Sequence, residues 1–374
     1  MNQYYYMPTR VVMGDDCIGN NSKLFASLGK KALIVTGRHS AKINGSQDDI
    51  IKALDAEKID YLVFDKIKSN PTIAIIYEGA AVAKENKIDF IIAIGGGSPM
   101  DAAKGIALLA AQNISEENLF SGSYENKILP MAFVPTTSGT GSEVTKYSIL
   151  TNDKAQTKTS IATELIFPTI AFLDAKYTDK LSVEVTINTA IDALSHAIEG
   201  MLSVKSSMIT NALAGKSAQL IMGCVPEMLK AIESPTAPAF SPQTRENLLQ
   251  ASFLAGVAIA QTGTTAVHAM GYSLTYFKHI DHGKANGILL AEYLRLVEKE
   301  RPDLSTEILL AMNLDNVDEF KSLIKQLLGE EQISQEEIKQ YSEMAIQTAN
   351  IGNCMVKPTK ENIAEMLEQS LRCL

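Results

Sequence analysis

DFIIAIGGGSPMDAAK, residues 89–104, decides the fold. The apolar run over residues 90–94 reads as a strand buried on both faces. It stops at Gly95-Gly96-Gly97, and Ser98, Pro99 and Asp101 then spell a helix start. Ser98 is read as the N-cap, Pro99 as the first helical residue, and Asp101 as completing a Ser-x-x-Asp capping pattern. A strand, a glycine turn and a helix start in that order present free N–H groups and a positive dipole end, which suits a pyrophosphate. The run is not the G-x-G-x-x-G fingerprint. An unliganded strand–helix turn fits it equally well.

Outward from this stretch, the pattern of apolar strand and helix repeats. KALIVTG (31–37) and YLVFD (61–65) read as buried strands, SQDDIIKALDAE (46–57) as a helix capped by Ser46, and TIAIIYEGAAVAKENK (72–87) as a helix after Pro71. MAFVPTT, KYSILTNDKAQTKTSIA and TIAFLD add strands, with Asn152-Asp153 as a hairpin turn. Apolar strands separated by helices indicate a mostly parallel sheet covered on both faces. After Asp174 the strand signals cease. Three long helical runs follow, SVEVTINTAIDALSHAIEGML, ITNALAGKSAQLIMGCVPEMLKAI and RENLLQASFLAGVAIAQ, with SPTAPAFSPQ (234–243) as a loop between the last two. The expected organisation is an α/β dinucleotide-binding domain over residues 1–178 and an all-helical domain over 179–374.

Composition narrows the function. With 374 residues, 46% hydrophobic and 21% charged, the chain is globular and long enough for two domains. Lys+Arg 34 against Asp+Glu 43 leaves −9, which disfavours nucleic acid and anionic membranes as partners. Trp is absent and aromatics reach only 6%, so a stacking platform for single strands is not expected. No run approaches the ~18 apolar residues of a spanning helix. MNQYYYMPTR lacks a basic segment followed by an apolar one. Cys17, Cys224, Cys354 and Cys373 are scattered and form no C-x-x-C pair. A soluble protein of the reducing cytoplasm is the expectation.

Two further motifs carry chemistry. Pro135-Thr136-Thr137-Ser138-Gly139-Thr140-Gly141-Ser142-Glu143 follows the strand MAFV, so its hydroxyls and amides fall at a strand's carboxyl end, where open α/β sheets bind ligands. A self-bonded loop would look the same. Asp192 and His196 stand four apart in IDALSHAIEG, hence on one helix face. His268 and His282 follow in VHAMGYSLTYFKHIDHGKANGILL. One carboxylate and three imidazoles suit a divalent transition metal; a buried Asp–His pair, a core histidine and a capping histidine would account for the same residues.

GGGSPMDAAK, PTTSGTGSEVT, DALSHAIEG and VHAM…HGKANGILL, in this order and spacing, resemble the iron-containing (group III) alcohol dehydrogenase family. The resemblance runs from YYMPTRVVMG to PTKENIAEML. It implies a dehydroquinate synthase-like fold, a dinucleotide domain followed by a helical metal domain, with the active site between them. It places the metal ligands at Asp192, His196, His268 and His282, the pyrophosphate loop at Gly95, Gly96, Gly97, Ser98 and Asp101, and nicotinamide and adenosine contacts at Thr136, Thr137 and Ser142. Asn70 and Lys158 match positions lining the cofactor cleft. The metal implied is Fe2+, with Zn2+ or another divalent ion as the alternative, and the assembly a homodimer or larger homo-oligomer. Many members carry a histidine four residues after the third ligand; here Tyr272 stands there, and Tyr272 or His279 is expected to serve as the catalytic proton relay.

The resemblance also bears on the nicotinamide. NAD-using members tend to carry an acid after the first βα strand; here ALIVT runs into Gly37-Arg38-His39-Ser40. With no acid to repel a 2′-phosphate, and Arg38 and Ser40 able to meet one, NADP is expected over NAD. The implied reaction is hydride transfer between NADP(H) and a short- to medium-chain primary alcohol or aldehyde. The apolar residues Met270, Tyr272, Leu274 and Phe277 are expected near the substrate. Glycerol- or hydroxy acid-type dehydrogenases of the same fold are the alternative. A dehydroquinate synthase-like lyase stands further off, because beyond Lys278 and Lys284 the metal motifs are poor in cations.

Overall fold

The computed structural model describes residues 4–234 and 238–373. Three residues of the SPTAPAFSPQ loop, 235–237, therefore lie outside the described residues. The chain divides into two compact units: Met7–Thr137 with Gly141–Leu181, and Ser182–Leu374 with Met1–Tyr6 and Ser138–Thr140.

The first unit is built on a six-stranded sheet of β1 (Arg10–Met13), β2 (Lys31–Gly37), β3 (Asp60–Ile67), β4 (Phe90–Gly95), β5 (Met131–Pro135) and β8 (Ile170–Leu173). Their order is β1-β8-β5-β4-β2-β3, and every pairing is parallel. The crossovers include the short α1 (Lys23–Ala26) and α2 (Ser40–Ile43), then α3 (Ser46–Ala56), α4 (Ile73–Glu85) and α5 (Gly97–Ala111). Successive side chains of a strand face opposite ways, and the two cores show it. Leu33, Val35, Ile91, Ala93 and Phe133 pack on one face. Ala32, Ile34, Ile92, Ile94 and Val134 pack on the other. This is why these strands read as continuous apolar runs rather than alternating ones.

Three local expectations are corrected. The helix start after the glycine turn is capped by Gly96, not Ser98, and no side chain caps it. Ser98 sits inside the first turn, where its hydroxyl accepts from the Asn70 amide at 3.2 Å. The hairpin of β6 (Tyr147–Asn152) and β7 (Thr157–Ala162) turns over residues 153–156, since Asn152 pairs with Thr157. Ser46 likewise begins α3 rather than capping it, the cap being Gly45 at φ +81°.

The second unit is helical. It holds α6 (Val183–Met201), α7 (Met208–Glu233), α8 (Pro242–Thr262), α9 (Ala266–Phe277), α10 (His282–Glu300), α11 (Pro302–Met312), α12 (Val317–Leu328), α13 (Gln335–Ile346) and α14 (Lys360–Ser370). Ser182 caps α6 by accepting from Val185 N at 3.2 Å. One apolar core joins α6 to its neighbours through residues such as Ile187, Ile191, Leu194 and Ile198. Among the described residues no helix is long and apolar enough to cross a membrane.

Candidate functional site

In the α/β unit the topology selects the site. The chain passes from β2 outward to β3 and then returns to lay β4 on the other side of β2. Ligands bind outside the carboxyl ends of strands at such a reversal. The carboxyl end of β2 carries Gly37, and Ser40 opens α2. The carboxyl end of β4 carries the glycine turn, and Gly95 is in register with Pro135 of β5. Thr136 N donates to Gly95 O at 2.9 Å, so the glycine turn and the hydroxyl-rich run leave the sheet side by side. Gly95 has φ +148°, and a Cβ there would lie 2.6 Å from Pro99 Cγ; only glycine turns the chain this sharply. A Cβ on Gly96 would lie 2.9 Å from Thr137 Oγ1. Asn70 joins the group through Ser98, and its carbonyl accepts from Thr151 Oγ1 at 3.1 Å.

Behind this rim, Asp101 and Ser142 belong to a buried network that sequence reasoning missed. Lys104, fully buried, donates to Ser142 Oγ (2.8 Å), Thr145 Oγ1 (3.1 Å) and Tyr147 O (2.8 Å). Ser142 Oγ donates to Asp101 Oδ1 at 2.7 Å, and Asp101 Oδ2 accepts from Ile149 N at 3.2 Å. Burial pushes the Lys104 ammonium down to about 8, against the pull of Asp101 and Glu143. Burial raises Asp101 too, with Lys104, the Ser142 and Ile149 hydrogen bonds and the charge of Lys158 on β7 opposing it. Glu143 is buried, its Oε1 has no hydrogen-bond partner among the described residues, and burial raises it to about 7. The Asp101 carboxylate thus ties α5 to the hydroxyl loop instead of capping the helix.

The helical unit brings the Asp–His constellation together. Asp192, His196 and His268 offer ligand atoms that all lie within 4.8 Å of one another, and all three are buried. His196 Nε2 faces His268 Nε2 at 3.1 Å, and the two rings stack at 4.8 Å between centroids. His282, the first residue of α10, stands at the edge, with Nε2 3.9 Å from Asp192 Oδ1 and its ring 5.2 Å from that of His268. Burial holds His196 below its usual value, overcoming the pull of Asp192, so the ring is neutral at neutral pH. Burial would raise Asp192, but the three histidines outweigh it and keep the carboxylate ionised.

Two more residues complete the cluster. The Glu199 carboxylate hydrogen-bonds His268 Nδ1, and its Oε1 accepts from Thr265 N (2.8 Å), Thr265 Oγ1 (2.7 Å) and His268 N (3.3 Å). Asn286 Nδ2 lies 3.2 Å from Asp192 Oδ1, 3.1 Å from His268 Nε2 and 3.2 Å from His282 Nε2. One carboxylate oxygen and two ring nitrogens therefore converge on one N–H₂ group. Such convergence of one carboxylate and imidazole nitrogens is the donor set of a divalent transition metal, so the residues fit the ion the resemblance implies. Glu199 was legible only as a polar residue on the same stripe of α6 as Asp192 and His196.

The expected relay and substrate residues separate. Tyr272 stacks on His282 at 6.2 Å and meets His268 edge-on at 6.3 Å. His279 is exposed, in the left-handed region at φ +56° between α9 and α10. Met270 and Leu274 are fully buried in the helical core, and Phe277 stacks on Tyr341 at 5.5 Å. These three face the core because they fall on the inner stripe of α9, which corrects the expectation that they line a substrate site. Lys278 and Lys284 are paired with Glu337 (2.8 Å) and Glu331 (2.6 Å).

The chain belongs to the iron-containing alcohol dehydrogenase family, whose model matches residues 8–175 and whose C-terminal model matches residues 186–371. It is an oxidoreductase of that kind. An iron-containing alcohol dehydrogenase from Thermotoga maritima has a similar structure, with TM-score 0.90, 36% identity and 99% of both chains covered. The 1,3-propanediol dehydrogenase of Citrobacter freundii is 29% identical over 98% of each chain. The NAD-dependent methanol dehydrogenase of Bacillus methanolicus is 32% identical over 76% of this chain and 73% of its own.

Proposed function

We propose that the chain transfers hydride between NADP(H) and a short- to medium-chain primary alcohol or aldehyde, with Asp192, His196, His268 and His282 holding Fe2+. The observation that carries this reading is the convergence of buried Asp192, His196 and His268 within 4.8 Å. When bound, the ion supplies Lewis-acid polarisation of the substrate oxygen and the nicotinamide supplies the hydride acceptor or donor. The chain's own part is to keep Asp192 ionised and His196 neutral, and to surround both with apolar helix. Gly95, Gly96, Gly97, Ser98 and Asn70 would cradle the pyrophosphate, with Thr136 and Thr137 beside them. Asp101, Ser142 and Lys104 hold the loop behind, and Lys158 is assigned to the cofactor cleft on the resemblance.

The preference for NADP is supported by the end of β2. Gly37, Arg38, His39 and Ser40 bring no acid, and Asp65, on whose carboxylate Arg38 acts, is held by Lys42 at 2.9 Å. We assign the proton relay to Tyr272 rather than His279, because Tyr272 packs on His282. Burial, with the charge of Glu199, pushes its phenol up to about 12, so it acts as a donor at neutral pH. The pairing of Lys278 and Lys284 with acids disfavours the lyase, which must bind anionic groups. A homodimer or larger homo-oligomer in the cytoplasm is proposed on the resemblance alone.

The test is anaerobic turnover of butyraldehyde by metal-stripped protein, with and without added Fe2+, using NADPH and NADH in parallel. Iron-dependent oxidation of NADPH, faster than that of NADH, is expected. No turnover of several short aldehydes by metal-loaded protein would overturn the substrate class.

A further inference from the structure

We propose that Glu199 is the positioning residue of the metal centre: its carboxylate fixes His268 as the Nδ1–H tautomer, so that Nε2 presents its lone pair toward His196 and Asp192. This inference rests on the metal reading above.

The donor arithmetic around Glu199 leads there. The side chain has no solvent exposure, and its two oxygens divide the work unequally. Oε1 accepts three donors from the start of α9: Thr265 N, Thr265 Oγ1 and His268 N. Among the described residues Oε2 meets one group, His268 Nδ1. An ionised carboxylate accepts and never donates, so Nδ1 must carry the proton. A neutral imidazole has one such proton, and Nε2 is left as the lone-pair atom 3.1 Å from His196 Nε2. A carboxylate behind a ligating histidine orients the ring and raises its basicity. Here the same carboxylate also takes the first amides of α9, whose N-cap Thr265 makes no side-chain cap of its own. Helix start and ligand tautomer are thus set by one group of α6.

A residue that merely capped α9 would tolerate glutamine, which still offers an oxygen to the three N–H and O–H donors. A tautomer-setting residue would not. Glutamine has a single oxygen, and the three donors claim it; the NH₂ group then faces His268 Nδ1. Nδ1 must become an acceptor, the proton moves to Nε2, and the ligand atom is lost. Glu199→Gln therefore separates the two roles.

The experiment uses full-length protein with ¹⁵N-labelled histidine. Imidazole ¹⁵N–¹H correlation spectra of the metal-stripped chain report the His268 tautomer, assigned by its absence in His268→Ala. Zn2+ affinity is measured by competition with a chelator. Wild type is expected to show Nδ1–H at His268. Glu199→Gln is expected to show Nε2–H and to bind Zn2+ about 10–100-fold more weakly. Thr265→Val, which removes one donor to Oε1 but leaves the carboxylate, is expected to keep Nδ1–H and to stay within about threefold of wild-type affinity, a bound set by the neutral hydrogen bond it loses. An Nε2–H tautomer in wild type overturns the proposal even if Glu199→Gln does not fold. So does Glu199→Gln with Nδ1–H retained or with unchanged affinity. His196→Ala serves as the control for the site itself: if it binds Zn2+ as tightly as wild type, the metal reading fails, whatever the tautomer.

Discussion

The backbone of Gly283 is pressed against the carbonyl of Asn188: a Cβ on Gly283 would stand 1.9 Å from that oxygen and 3.1 Å from Asp192 Cβ. The helix that starts with His282 can approach the helix that carries Asp192 only because this position is glycine. Gly283→Ala is expected to force α10 off α6, carrying His282 away from Asp192. Overpacking of this kind costs about 1–3 kcal/mol. Thermal unfolding and retained metal after dialysis are the measurements, and both should fall. A variant with wild-type metal retention would detach His282 from the ligand set.

His268→Ala removes a proposed ligand atom and the group that Glu199 holds. Bound metal is expected to drop to a small fraction of wild type and turnover by at least about a thousandfold, because the Lewis acid that polarises the substrate oxygen is lost with it. NADPH binding, followed by quenching or enhancement of its fluorescence, should change little. Full turnover with unchanged metal content would sink the ligand assignment.

The nicotinamide preference is testable at Gly37. A Cβ there meets only ordinary contacts, 3.5 Å from Ile67 O and 3.7 Å from Ser40 Oγ. Gly37→Asp should therefore fold and act through its charge alone. It is expected to lower kcat/KM for NADPH relative to NADH by at least about tenfold, the equivalent of about 1.4 kcal/mol of repulsion at the 2′-phosphate. Equal effects on both cofactors would place the 2′-phosphate elsewhere.

Glu143 gives the protein a pH signature. Its carboxyl is raised from an ordinary 4.5 to about 7. The unfolded chain gives up this proton first, so the stability contributed by the neutral buried carboxyl is complete below pH 4.5 and is lost as pH rises to 7. Glu143→Gln should gain on wild type by about 3 kcal/mol across that window. Denaturant titrations at pH 4.5, 5.5 and 7 would show it; a constant difference would mean that Glu143 is ionised throughout.

What could be read from the chain and what could not divide along physical lines. The buried strands were legible because a parallel sheet covered on both faces needs unbroken apolar runs, and residues 90–94 supply one. Asp192 and His196 were legible because four residues make one helical turn. Glu199 escaped because its meaning depends on His268, 69 positions later. Asp101 was misread for a related reason. Locally it completes a capping pattern, yet its carboxylate goes to Ser142, 41 residues on, where Lys104 supplies a buried positive charge. Met270, Leu274 and Phe277 were misplaced because an apolar residue near a ligand in sequence looks the same whether it lines a pocket or fills a core.

The division of the chain into units has a consequence for taking it apart. The polypeptide passes between them at residues 6/7, 137/138, 140/141 and 181/182. Neither unit is thus a contiguous piece of the gene. A cut at 181 would leave the helical half without residues 138–140, and so without Gly139, whose backbone approaches Thr189 so closely that a Cβ would lie 2.8 Å from its carbonyl oxygen. Swapping halves between relatives by a single crossover would give chimaeras whose N-terminal segment and three-residue insert come from the wrong parent, so productive recombination must exchange residues 1–6 and 138–140 together with everything after 181.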